Sequence, residues 1–143
     1  VETRALARPF RSALPTRAAD NLYWLGRYVE RAETATRLLR AWHLRLAEGR
    51  TAETPLLALL TLHLDAQGID PQGDFSDDLQ AMVARARGCA GRLRDRFSGD
   101  GWQALNDLAA LARQTEGAGD AAARTLGALL RRVAGLAGLV HEN

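Results

Sequence analysis

An all-α bundle of four to five largely antiparallel helices, opened by one long N-terminal helix, is the fold class this sequence predicts, and three observations carry it. Alanine (27 residues) and leucine (24) far outnumber valine, isoleucine and threonine together (15), a balance that favours helices over strands. Apolar residues recur at helical spacing in five successive runs, and the joints between runs carry the residues that start and stop helices. At 143 residues, 47% apolar and 25% charged, the chain suits a single domain with one core.

Residues 1–13 mix Arg4, Arg8 and Arg11 with Pro9 and have no helical stripe, so they read as a tail or linker before a helical domain over 14–143. Pro15 and Thr16 then mark a helix start, and nothing interrupts the pattern until Gly49, which predicts a first helix over about 17–48. Leu22, Leu25, Val29, Ala32, Thr36, Leu39 and Leu46 form one stripe, and Trp24, Tyr28, Ala35, Leu38 and Trp42 widen it. So wide an arc should meet two or more neighbours. Thr54 followed by Pro55 caps a second helix ending near Gln67 or Gly68, and the all-round apolar run Leu56 to Leu64 predicts that it is short and deeply buried.

The Gly, Pro and Asp residues between Gly68 and Phe75 predict the longest internal loop. Ser76, with Asp77 and Asp78 in the first turn, should open a third helix whose stripe runs from Leu79 to Phe97, with a kink or close helix contact at Gly88 and Gly91. A fourth helix spans about Asp100 or Gly101 to Thr115, and Asp120 caps a fifth in which Gly127, Gly135 and Gly138 would admit another backbone.

All 19 basic residues are arginine, yet the net charge is only +2. By segment it is +5 over 1–50, −6 over 51–83, +4 over 84–97 and −1 over 98–143. Alternating signs suit elements that pair with one another better than a surface that tracks phosphates, so nucleic acid is not an expected partner. No stretch reaches the roughly 18 to 20 apolar residues of a membrane span, no secretory signal opens the chain, and Cys89 is the lone cysteine; the expectation is a cytoplasmic protein without membrane attachment or disulfides.

Chemistry-bearing patterns are sparse. Glu30 and Glu33 stand three apart without the histidine of a di-metal Glu-x-x-His pair, and His43, His63 and His141 have no companion at metal spacing, so no metal or cofactor is expected. Cys89 has no histidine beside it in sequence and reads as a packing residue. There is no phosphate loop and no nucleophile elbow, so no residue is assigned as catalytic. What stands out is the first helix, where Asp20, Trp24, Arg27 and Arg31 share one face and Arg31 falls inside the apolar arc between Trp24 and Trp42. A guanidinium there must be paired or stacked. On the third helix, Arg87 and Arg94 flank one edge of the stripe and Arg85, Arg92 and Arg96 the other. Two readings follow: interhelical ion pairs with Arg-on-Trp stacking, or a bidentate site for a carboxylate or phosphate.

The segment LPTRAADNLYWLGRYVERAETATRLL, from Leu14, resembles the opening motif of the bacterial alpha-E domain family, named for a Glu-Arg pair that is here Glu30 and Arg31. The likeness rests on Arg17, Asp20, Asn21, Trp24, Gly26, Arg27, Tyr28, Glu30, Arg31 and Glu33, among others. A second block, ARGCAGRLRDRFSGDGWQALNDL, resembles the family's middle segment through Arg87, Arg94, Ser98, Trp102, Leu105 and Asn106, with Cys89, Ala90 and Gly91 where the family has Asn-Ala-Arg. The chain stops before a second Glu-Arg motif, so the resemblance covers about the first half of the family's domain. It implies a helical accessory or interaction module beside an ATP-grasp amide ligase in peptide synthesis or modification, with Asp20, Asn21, Trp24, Arg27, Glu30, Arg31, Arg87, Arg94, Trp102 and Asn106 as candidates for binding a partner or an anion. The alternative is half of an enzymatic or anionic-ligand pocket, completed by the rest of the domain or by a second copy. An apolar surface left uncovered would favour a homo-oligomer.

Overall fold

The computed structural model describes residues 16–93 and 97–142, so the tail expected at 1–13 lies outside the described residues. Five helices follow one another: α1 (Thr16–Ala47), α2 (Pro55–Asp65), α3 (Phe75–Leu93), α4 (Gly99–Gln114) and α5 (Gly119–Glu142). There is no strand among the described residues, and no helix is long and apolar enough to cross a membrane.

The bundle is a ring of four helices with one appended. α1 packs against α3 and α5, α4 closes the ring against both, and α2 meets α1 alone. Neighbours run antiparallel: His43 near the end of α1 stacks on Phe75 at the start of α3, and Ala47 lies beside Gly119 at the start of α5. Leu25, Val29, Ala32, Ala35 and Leu39 of α1 are buried at the centre of the core, joined by Leu79, Val83 and Ala86 of α3, Leu105 and Leu108 of α4, and Leu126, Leu129 and Val133 of α5. Small Ala32 and Ala35 on the central helix let both neighbours approach its backbone.

Local chemistry explains the joints. Gly68, at φ +76°, turns the chain after α2, and Ile69 donates its N–H to Leu64 O while its side chain enters the core. Ser98 caps α4 by accepting from the Gly101 N–H at 3.0 Å. For α3 the expected Ser76 cap is corrected. Asp74 Oδ1 accepts from the Asp77 N–H, while the Ser76 hydroxyl donates to Ala112 O and ties α3 to the end of α4. Thr54 does precede Pro55 at the start of α2, but its hydroxyl donates back to Thr51 O.

Three further expectations change. α2 is not deeply buried: Leu57 and Leu64 are, whereas Leu56, Leu59 and Leu62 are 41%, 52% and 67% exposed, because α1 covers only one side of this helix. α3 is described as far as Leu93, residues 94–96 lie outside the described residues, and Phe97, at a bend, packs against the core from outside the helix, with its ring against Trp102 and over Gly101. Of the glycines in α3, Gly91 does sit at a close contact with α4 and Gly88 does not, and the glycines of α5 do not mark backbone crossings. A side chain at Gly88, Gly135 or Gly138 would meet nothing within 4 Å, Gly91 lies under Trp102, and Gly127 is covered by the Arg40 side chain. Gly88→Ala and Gly135→Ala should therefore each raise stability by up to about 1 kcal/mol, read as a higher urea midpoint, since alanine restricts the unfolded chain and fills only open space.

Candidate functional site

An open groove of about 520 Å³ lies between α1, the end of α2 and the middle of α3. α1 contributes Arg27, Tyr28, Glu30, Arg31 and Thr34, residues three or four apart that one edge of a helix presents together. α3 contributes Met82 and Arg85 by the same spacing, and the turn at Gly68 sets Ala66 and Gln67 at the groove's end. Three guanidinium groups thus share one hollow with the C-terminal end of α2, whose carbonyls favour positive charge.

The electrostatics are those of an open site. Arg27 Nη1 donates to Glu30 Oε1 at 3.3 Å, an exposed pair worth little by itself. The Arg31 guanidinium lies 5.8 Å from the centre of the Tyr28 ring, within reach of a cation–π contact. Among the described residues, neither Arg31 nor Arg85 has a carboxylate within 4.0 Å. The Gln67 side-chain oxygen is buried without a hydrogen-bond partner. Guanidinium groups stay charged at any ordinary pH and offer forked donors, so the hollow is equipped to hold an anion rather than to move a proton.

Only some of the residues singled out from the sequence meet here. Arg27, Glu30 and Arg31 line the groove, but Arg31 is exposed, which corrects its expected place within the buried arc. The reason is Trp24: at 44% exposure, stacked between Tyr23 and Tyr28, it makes that edge of the arc solvent instead of core. Asp20 is exposed and Asn21 half-buried one to two turns earlier, and neither lines the groove. Arg87 points away, into a shallow hollow between α3 and α4 with Gln80 and Arg113. Arg94 lies outside the described residues. Trp102 packs on Phe97 and above Gly91, and Asn106 is exposed on α4. Sequence reasoning missed Arg85, Met82 and Gln67. The signal for Arg85 was its position three residues after Met82, on the α3 edge opposite Arg87.

No group of three metal-ligating side chains occurs among the described residues. Cys89 is buried, and burial pushes its thiol up from its ordinary pKa despite nearby Arg92. It should react far more slowly in the folded chain than in urea with a chromogenic disulfide, as the rate at which the coloured thiolate is released would show.

A family model described as a predicted alpha-helical domain with a conserved ER motif matches residues 14–143. The chain contains one Glu-Arg dipeptide, Glu30–Arg31, and it is the pair on the groove. No curated protein and no solved structure matches the chain.

Proposed function

Because the chain belongs to the Alpha-E family, with Glu30 and Arg31 as its ER pair, we propose that it is a non-catalytic binding module whose ER groove receives a carboxylate-bearing, partly apolar segment of a partner protein. The observation that carries this reading is the convergence of Arg27, Arg31 and Arg85 on a hollow whose other walls include Tyr28, Met82 and Ala66. The cations suit an acidic group, and the apolar walls suit the body that bears it. The exposed leucines of α2 extend the same face, since Leu59, Leu62 and Ala66 follow one another at three- and four-residue steps into the groove. The resemblance supplies the setting: an ATP-grasp amide ligase, in the same chain or a separate one.

The test is calorimetric titration of the chain with the ATP-grasp amide ligase of its own organism, for the wild type, Arg31→Ala and Leu59→Asp. Both substitutions should weaken binding at least about tenfold. Arg31→Ala should alter folding stability by no more than about 0.5 kcal/mol, because the guanidinium is exposed. No binding by the wild type, or equal binding by all three, would sink the reading. The rival is a second copy covering the leucines, which would show as a dimer that Leu59→Asp converts to a monomer. Charge weighs against α2 pairing with α2: Glu53 and Asp65 flank the leucines, and residues 51–83 carry no arginine or lysine to offset them.

A further inference from the structure

On the other side of α1, where it packs against α5, lies a cleft of about 370 Å³ that the ER groove does not touch. Arg40 and Leu44, four apart on α1, form one wall; Asp120, Arg124, Gly127 and Arg131 form the other, from one face of α5. Two of the guanidinium groups converge on Gly127. The point where a Cβ would stand there is 3.2 Å from Arg40 Nε and 3.8 Å from Arg131 Nη1, so the missing side chain is what lets them approach the helix. Arg40 Nε is buried and has no hydrogen-bond acceptor.

Among the described residues, Arg27, Arg37, Arg45, Arg50 and Arg132 form ion pairs, whereas Arg31 and Arg85 of the ER groove do not. Among the described residues none of Arg40, Arg124 and Arg131 does so, although Asp120 lines the same cleft. Three like charges facing one hollow repel each other, and a buried donor without an acceptor is costly, so the arrangement is explained best by an anion that satisfies both. With one carboxylate against three guanidiniums, the cleft carries two uncompensated positive charges.

We propose that the cleft of Arg40, Arg124 and Arg131 binds a phosphoryl group, either as free phosphate or as a phosphate monoester. Such a group carries about −1.5 to −2 charges near neutrality and offers three or more oxygens, which matches both the surplus charge and the number of forked donors. A carboxylate leaves one positive charge unmatched. The modest volume suits a compact oxyanion better than the larger ER groove does.

The experiment is calorimetric titration of the folded chain with inorganic phosphate, with glycerol 3-phosphate and with acetate, at matched ionic strength. Saturable binding of phosphate with weaker or no binding of acetate is expected, and the ranking of phosphate against glycerol 3-phosphate tells the free ion from the ester. Arg131→Ala and Arg124→Ala, both at exposed positions, should each weaken phosphate binding at least about fivefold. Gly127→Ala should do the same by displacing Arg40. Arg113→Ala, which removes an exposed arginine of α4 that lines neither this cleft nor the ER groove, should leave phosphate binding unchanged. The proposal is overturned if phosphate does not saturate, if acetate binds as well, or if Arg113→Ala weakens phosphate as much as Arg131→Ala does.

Discussion

Trp42→Ala is expected to lower the stability of the chain by about 3–5 kcal/mol and to loosen α2 from the bundle before the rest unfolds. The size of the effect follows from burial, for Trp42 is 1% exposed and its removal leaves a large cavity between α1 and α2. Its local character follows from topology. α2 packs against α1 alone, and Trp42 Nε1 donates to Thr61 Oγ1 at 3.1 Å across that contact. Thr61 in turn donates to Leu57 O, one of the two positions of α2 that face inward. Trp42→Phe keeps most of the volume and leaves Thr61 bonded within its own helix, so it should cost about 1 kcal/mol. Urea denaturation measures the two losses, and amide hydrogen exchange locates them. In Trp42→Ala the α2 amides should lose protection ahead of those in α1 and α5; uniform loss would mean that α2 is not a separately anchored element.

The same helix shows where the sequence was legible and where it was not. Five helices, their order and their ends to within a few residues are readable, because periodicity and capping are local signals. The burial of α2 is not. A run that is apolar all round, Leu56 to Leu64, looks the same whether neighbours enclose it or cover only one side, and the difference depends on packing between distant segments. Arg31 was misplaced for a related reason, since a helical wheel shows which residues share an arc but not where solvent begins. The ER groove was half legible: the α1 residues could be grouped by spacing, but the choice of Arg85 over Arg87 depends on how α3 is rotated about its axis. His43 was the least legible. Its partners are 28 and 76 positions away, so an imidazole that looked solitary in sequence is a junction in the fold.

That junction carries the other large expected effect. His43, 1% exposed, holds three segments at once: its own helix, the loop before α3 through Pro71 O at 3.0 Å, and the turn into α5 through the Gly119 N–H, which donates to Nδ1 at 3.2 Å. Because Nδ1 accepts, the proton sits on Nε2 and donates to Pro71, and the ring is neutral. Burial lowers its pKa below the ordinary 6.5, only partly opposed by the bond to Pro71. Above about pH 6.5 the ring is neutral whether the chain is folded or not, and its contribution is whole. Below that, the unfolded chain takes up the proton first, so stability falls as pH drops from 6.5 towards the lowered folded value, by no more than about 1.4 kcal/mol per pH unit. A proton on Nδ1 would also face the Gly119 N–H, donor against donor, between the rings of Trp42 and Phe75. His43→Ala should cost about 2–4 kcal/mol at neutral pH, from the cavity and from two backbone groups left unpaired, and should flatten the decline below pH 6.5. Gly119→Ala probes the junction from the far side, because φ is +58° there and a side chain strains the turn that delivers the N–H. It should weaken the fold while keeping the decline below pH 6.5, since the imidazole stays buried. Urea midpoints of the three chains between pH 5 and 8 decide it, and an undiminished pH dependence in His43→Ala would place the titrating group elsewhere.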